Sequence, residues 1–256
     1  MIKLHILVLS VVCLFSSYTQ AQWNSPGQDF NGGINLGGQV TNNRNPWVWQ
    51  LGGNTNSLTI KEKSRHSDSR WDVPLPASTI LLGKTIRTVP SGRKGLMPVI
   101  KIGTTELGNV LKWIEPGVAL VTLPVSDEEQ ESKGTLTFKL KVIALLKSVS
   151  EGQERYYGLY NDTNGNGFPE RDYITPPNKT VAELRKLFVT EPPLWLEKNI
   201  SVSDIAGVSK FTDSSLRQVD GAYGAQIVPD SGELQFLSGT LPLQWHVSLP
   251  VSIEYQ

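Results

Sequence analysis

The chain has 256 residues, and its 24 lysines and arginines balance 24 aspartates and glutamates, for a formal net charge of zero. No basic stripe interrupts that balance, which argues against nucleic acid as a partner. The single cysteine is Cys13, so beyond the first segment thiol nucleophiles, thiolate metal sites and a disulfide framework are excluded.

Residues 1–21 read as a secretory signal peptide. Lys3 supplies one positive charge, Ile6 to Phe15 is almost wholly apolar, and Thr19 and Ala21 are the small residues before a cut. The apolar run is shorter than the roughly 20 residues that span a bilayer. Removing Lys3 with this leader leaves 23 positive against 24 negative residues. The remaining chain is long enough to bury a core without staples.

Asp29 to Val40 alternates. Phe30, Gly32, Ile34, Leu36, Gly38 and Val40 fall on one face of an extended strand, with Asn31, Asn35 and Gln39 between them. Glycine weakens a strand and marks close backbone approach. Residues 22–43 are therefore expected to need another chain's groove, and to hang free or fold back loosely in a lone chain.

Thr41 to Pro46 is a loop by composition. Trp47–Leu51, Ser57–Lys61, Ile80–Leu82, Val99–Ile102, Val110–Trp113 and Val118–Leu123 read as short strands, with Glu62–Arg70 as a polar loop. Asp127–Gly134 is a charged turn, and Leu136, Phe138, Leu140 and Val142 mark a half-buried strand after it. Turn signals about every 8–12 residues indicate a β-sandwich.

Residues 151–211 break this pattern and read as an insertion. Thr180-Val-Ala-Glu183 fits a capping box, and Val181, Leu184, Leu187 and Phe188 recur at helical spacing. The spacing predicts a helix over Thr180–Val189, ended by Pro192-Pro193, and a further helical turn over Ser203–Gly207. Strands return at Gly221–Gln226, Glu233–Leu237 and Leu243–Tyr255. In the last, Trp245, Val247, Leu249, Val251, Ile253 and Tyr255 form one face, and Pro250 argues for an unpaired edge.

The chemistry is sparse. Asp162, Asn164 and Asn166, with Gly167, fit the first half of a calcium loop, but its closing position falls on Tyr173. A Gly/Asn-rich turn explains the run as well. His66 and His246 have no nucleophile beside them in sequence, and no Gly-x-Ser-x-Gly elbow occurs. No enzyme activity and no cofactor are expected. Tyr157, Tyr160 and Trp195 are candidates for stacking on a sugar, or for packing the insertion onto the sandwich.

Taken together, Asp29–Val40, Trp47-Val-Trp49 with Leu51-Gly52, Ile80–Thr85, and Gln244-Trp245 through Pro250–Tyr255 resemble subunits of K88-like (F4) fimbriae. The resemblance is good at both ends and thin between Glu151 and Asp220. It implies an all-β fold: an incomplete immunoglobulin-like sandwich over residues 44–256, preceded by an N-terminal donor strand at 22–43. It further implies assembly by a periplasmic chaperone and an outer-membrane usher, with strand addition between neighbouring subunits. Phe30, Gly32, Ile34, Leu36, Gly38 and Val40 would enter a neighbour's groove. The Trp245–Tyr255 face would line this chain's own groove and meet the chaperone. Three readings follow: a structural, minor subunit; a lectin-like adhesin binding host glycoconjugates through 151–211; and a secreted β-sandwich enzyme.

Overall fold

The computed structural model describes residues 30–32, 45–52, 65–67, 69–104, 107–108, 110–126, 132–236 and 244–256. The expected leader, Ile34–Val40 and the Ser57–Lys61 strand lie outside them. Fifteen strands and one α-helix are found among the described residues. The strands are β1 (Phe30–Gly32), β2 (Trp47–Leu51), β3 (Arg65–Ser67), β4 (Arg70–Val73) and β5 (Thr79–Thr85). Then come β6 (Val89–Ser91), β7 (Pro98–Ile102), β8 (Leu111–Glu115), β9 (Val118–Ser126) and β10 (Ser132–Ser150). The rest are β11 (Gln153–Tyr160), β12 (Asp204–Gly207), β13 (Arg217–Ile227), β14 (Gly232–Phe236) and β15 (Val251–Tyr255), with α1 at Pro177–Leu187.

They form two sheets. The large one runs β2–β5–β13–β10–β14–β4–β3, with β9 and β11 also paired to β10. The small one runs β1–β15–β7. The order β2–β5–β13–β10 is that of strands A-B-E-D of an immunoglobulin sandwich, and β1–β15–β7 is that of G-F-C. The chain is an all-β sandwich with a small helical block, and β1 stands where the last strand of a complete domain would.

Between the sheets lies the main core. Trp47 and Trp49, two apart on β2, point the same way and stack with ring centroids 5.0 Å apart. The Trp47 indole donates to the Leu96 carbonyl at 2.9 Å. Gly83, directly across from Trp49 in β5, has to be glycine: a Cβ there would sit 2.1 Å from the indole ring.

The large sheet is buried on its other face too. Leu81 belongs to the main core while Leu82 packs under the helix; likewise Val142, Ala144 and Leu146 face inward, and Ile143 and Leu145 outward. Val181, Leu184 and Leu187 of α1, with Phe188 just after it and Trp195, Leu196 and Val202, cover that outer face. A strand covered on both sides reads as a continuous apolar run instead of an alternation. This is why the alternation ends at Val142 although β10 continues to Ser150.

Four local expectations are corrected. The 62–70 segment contains β3, which forms a hairpin with β4. Gln153–Tyr160 is a strand, β11, in register along β10 from Ser150↔Gln153 to Leu145↔Gly158. Ser203–Gly207 is not helical: Asp204–Gly207 is β12, parallel to β11. The helix begins at Pro177, not Thr180, since proline's fixed φ suits the first helical position. No capping box forms there. The Thr180 hydroxyl donates to the carbonyls of Thr175 and Pro176, both at 3.0 Å. Glu183 instead accepts from Lys141 of β10 at 2.7 Å and from Lys186 at 2.6 Å.

Those two hydrogen bonds hold the Glu183 carboxyl down at a pKa of about 2, from an ordinary 4.5. A depressed carboxylate stabilises the fold above its unfolded pKa and stops doing so as pH falls through the folded value. The helix–sheet tie is thus whole above about pH 4.5 and lost toward pH 2. The gap in urea midpoint between the wild type and Glu183→Gln should shrink over that window.

Lys147 and Asp220 face each other across β10 and β13, both buried, with Nζ 3.4 Å from Oδ2. Burial pushes the Asp220 pKa up; hydrogen bonds from Thr88 and Thr85 and the Lys147 charge oppose it. Lys147 also lies 3.5 Å from Glu154. Removing one member of a buried pair leaves an uncompensated charge, which costs about 3–5 kcal/mol. Asp220→Ala should lose about that much in urea unfolding, and Lys147→Met with Asp220→Asn should recover most of it.

Candidate functional site

The C-terminal strand carries the site. Val251 and Ile253 of β15 are buried, Ser252 is half-buried and Glu254 is exposed, as period two requires. On one side β15 pairs with β7 along its whole length, from Val251↔Ile102 to Tyr255↔Pro98. Gln256 continues this ladder, exchanging both backbone bonds with Met97 at 3.0 and 3.2 Å. The Tyr255 hydroxyl accepts from the Trp49 indole at 2.7 Å, linking β15 to β2.

The strand is shorter than the expected Leu243–Tyr255. Trp245, Val247 and Leu249 do pack against the main core, in alternation with exposed His246 and Ser248. Residues 244–250, however, form no ladder, only a single bridge from His246 to Ser126 at the end of β9. Pro250 lacks an N–H, and its carbonyl accepts from the Gly103 amide at 2.8 Å. Face and ladder therefore part company at Pro250.

On its other side β15 pairs antiparallel with β1: Phe30↔Ile253, Asn31↔Ser252 and Gly32↔Val251. The expectation that residues 22–43 hang free or fold back loosely is corrected for Phe30–Gly32. The reason is physical. A sheet edge presents a row of unpaired N–H and C=O groups that template another strand. Each hydrogen bond made there is worth about 0.5–1.5 kcal/mol net, against about 0.5–1 kcal/mol lost for a glycine in a strand. Positions 30 and 32 of the in-phase set fall opposite the buried Ile253 and Val251. Ile34, Leu36, Gly38 and Val40 lie outside the described residues.

The far edge of the small sheet is closed differently. The Asn166 side chain accepts from the Ile102 amide at 2.7 Å and donates to the Ile102 carbonyl at 2.8 Å. One side-chain amide thus stands in for a peptide group of a neighbouring strand. The backbone amides of Asn166 and Gly167 both donate to the Ile100 carbonyl, at 3.0 and 3.1 Å. Gly165 and Gly167 allow this approach, since a Cβ on either would clash with Ile100. Tyr223, buried in β13, fixes the loop from below by donating to the Gly167 carbonyl at 2.7 Å.

This is the loop with the half calcium pattern. Of its three candidate ligands, Asn166 is engaged by β7, and the Asp162 carboxylate accepts from the Ser209 amide at 3.0 Å and from the Ser209 hydroxyl. Asn164 is exposed. Two of the three side chains thus have protein partners, and the loop acts as an edge cap. The sequence pattern singled out Asn166 as a calcium-ligand candidate and not as an edge cap. The available signal was the Gly165-Asn-Gly167 spacing, which permits close backbone approach on both sides of an amide.

The three candidate sugar-stacking residues do not form one platform. Tyr157 is buried on the main-core side, with the Lys210 ammonium 5.0 Å from its ring centroid. Trp195 is buried on the helix side, 6.1 Å from Tyr156. Tyr160 is half-buried, with the Arg171 guanidinium 5.5 Å from its ring centroid. Tyr157 and Trp195 therefore pack opposite faces of one sheet.

Sequence comparisons give this sandwich a family. The chain matches the K88 fimbrial family, described as fimbrial, major and minor subunit, over residues 2–256. It is 46% identical to the K88 minor fimbrial subunit FaeI of Escherichia coli over 252 residues, 98% of each chain. The chain belongs to the K88 fimbrial subunit family.

The β7 rim depends on one side-chain amide. Asn166→Ala would strip both amide bonds from Ile102 and leave buried backbone groups unpaired, at about 1–3 kcal/mol. The expected result is a lower urea midpoint together with concentration-dependent association of the purified subunit, measured by light scattering. Association should be absent from a control in which exposed Asn164 is changed to alanine.

Proposed function

We propose that this chain is a minor structural subunit of an adhesive fimbria, assembled by donor-strand exchange. One observation carries the reading: the outer edge of β15 takes an antiparallel strand, and the strand it takes comes from the N-terminal segment. In the fibre the same edge receives the N-terminal strand of a neighbour, and this chain's own residues 30–40 enter the next groove. A leader at residues 1–21 exports the chain to the periplasm. There a chaperone lends a strand to the β15 edge until the outer-membrane usher passes the subunit on. Backbone pairing supplies affinity and alternate side chains supply specificity. The minor role rests on the likeness to a minor subunit over nearly the whole chain. Against a lectin-like use of 151–211 stands the burial of Tyr157 and Trp195 in separate cores.

Deleting residues 22–43 tests the assembly role. The truncated subunit should still bind its chaperone, because the β15 edge remains, but should no longer be joined to the neighbour whose groove it fills. Incorporation at the wild-type level, scored by immunogold labelling of fibres, would sink the reading.

A further inference from the structure

We infer that the free subunit closes on itself: its own N-terminal strand caps its own acceptor edge, and this cap must leave before the subunit can be joined to others. The inference rests on the donor-strand reading above and adds a resting state to it.

The geometry supports an intrachain strand. Residues 33–46 connect β1 to β2, and at about 3.3 Å per residue they can span roughly 45 Å. That reach serves either the chain's own β15 or an adjacent one. Exchanging an identical element between copies is a low-cost route from closed monomers to joined ones. In a dilute subunit the strand of the same chain has the advantage, because a short intrachain connection holds it at an effective concentration of about millimolar.

The described part of the cap leaves positions of β15 for a longer strand to use. Among the described residues β1 covers Val251, Ser252 and Ile253, while β7 pairs with β15 along all five positions through Tyr255. A strand using more of the 30–40 alternation could pair further along the edge and replace it. With β7's outer edge closed by Asn166, an incoming strand has one place in the small sheet to go. Self-capping at that place keeps the open edge from templating aggregation before assembly.

A disulfide clamp tests this directly. Asn31 and Ser252 are directly opposite. Cross-strand partners have Cα atoms about 4.5–5.5 Å apart, within the 4.4–6.8 Å range of disulfides. The only native cysteine is Cys13, in the expected leader, so Asn31→Cys with Ser252→Cys makes a unique pair. The full chain is exported without its usher, oxidised and run on a non-reducing gel with peptide mapping. A monomer carrying the 31–252 bond is expected in most of the material. Absence of that bond, or its appearance only in dimers and larger species, overturns self-capping.

A second readout isolates the underlying assembly reading. With usher present, the oxidised variant should enter fibres at least tenfold less than the wild type, and reductant should restore entry. If the clamped monomer forms yet enters fibres normally, the strand need not leave. Self-capping then stands as a fact of the fold, while its proposed gate and the donor-strand role of residues 30–40 both fail. If the clamp never forms but truncation at 22–43 still blocks joining, the assembly reading survives and self-capping does not.

Discussion

A β-strand at the rim of a sheet has backbone groups with no partner, and everything distinctive about this subunit follows from how that need is met. In the small sheet, β15 is the middle strand only because β1 lies beside it. Without β1 it would be an edge with Val251 and Ile253 already committed to the core. Its side chains cannot move away from that position, so its backbone must find a strand. Neither hydrophobic burial nor charge supplies this demand. It arises from the peptide group itself, which is costly to leave unpaired when buried.

The other strands of the sandwich meet the same demand in more permanent ways. β10 is paired along its length, to β9 and β11 on one side and to β14 and β13 on the other. β7 uses a side-chain amide, which a helix or loop can deliver where a further strand would not fit. These closures involve residues far apart in sequence and packed among rigid aromatics: Tyr223 holds the Asn166 loop, and Trp49 holds Tyr255. The β1 closure is different in kind. Among the described residues its strand is Phe30–Gly32, which precedes the sandwich in the chain. A closure by a loop and a closure by the N-terminal strand thus sit on opposite rims of one small sheet.

Much of the fold was legible in the sequence because period two is a strong signal when one face is wet. The alternation of Trp47–Leu51, Leu136–Val142 and Val251–Tyr255 located strands correctly, and Trp245 to Leu249 kept its face even where the ladder stopped. Legibility failed where both faces are covered. Ile143-Ala-Leu-Leu146 carries no alternation, because odd positions meet the helix and even positions meet the small sheet. It failed again at Thr180–Glu183, where a local motif matched but proline three residues earlier already fixed the helix start. Ser203–Gly207 was misread because a parallel strand contact is set by tertiary context that no short window contains. The site was half legible. The N-terminal alternation and the C-terminal face were both visible, yet their pairing with each other depends on relative position, which sequence does not state. The Asn166 cap left only its glycines as a trace.

These corrections change what the 151–211 segment is. As an insertion it would be an attachment, free to vary without consequence for the sandwich. Instead it opens with β11, a full strand of the large sheet, and closes with β12 beside it. Between them it sends α1 onto the outer face of that sheet, tied at Lys141–Glu183, and sends Asn166 around to the rim of the other sheet. One continuous segment therefore finishes two layers at once. The helix hides apolar positions that β5, β10 and β13 would otherwise expose, and the loop shuts the rim that would compete with β15. A segment with both duties ties the outer face of the large sheet to the rim of the small one, and leaves β1 beside β15 as the small sheet's other rim.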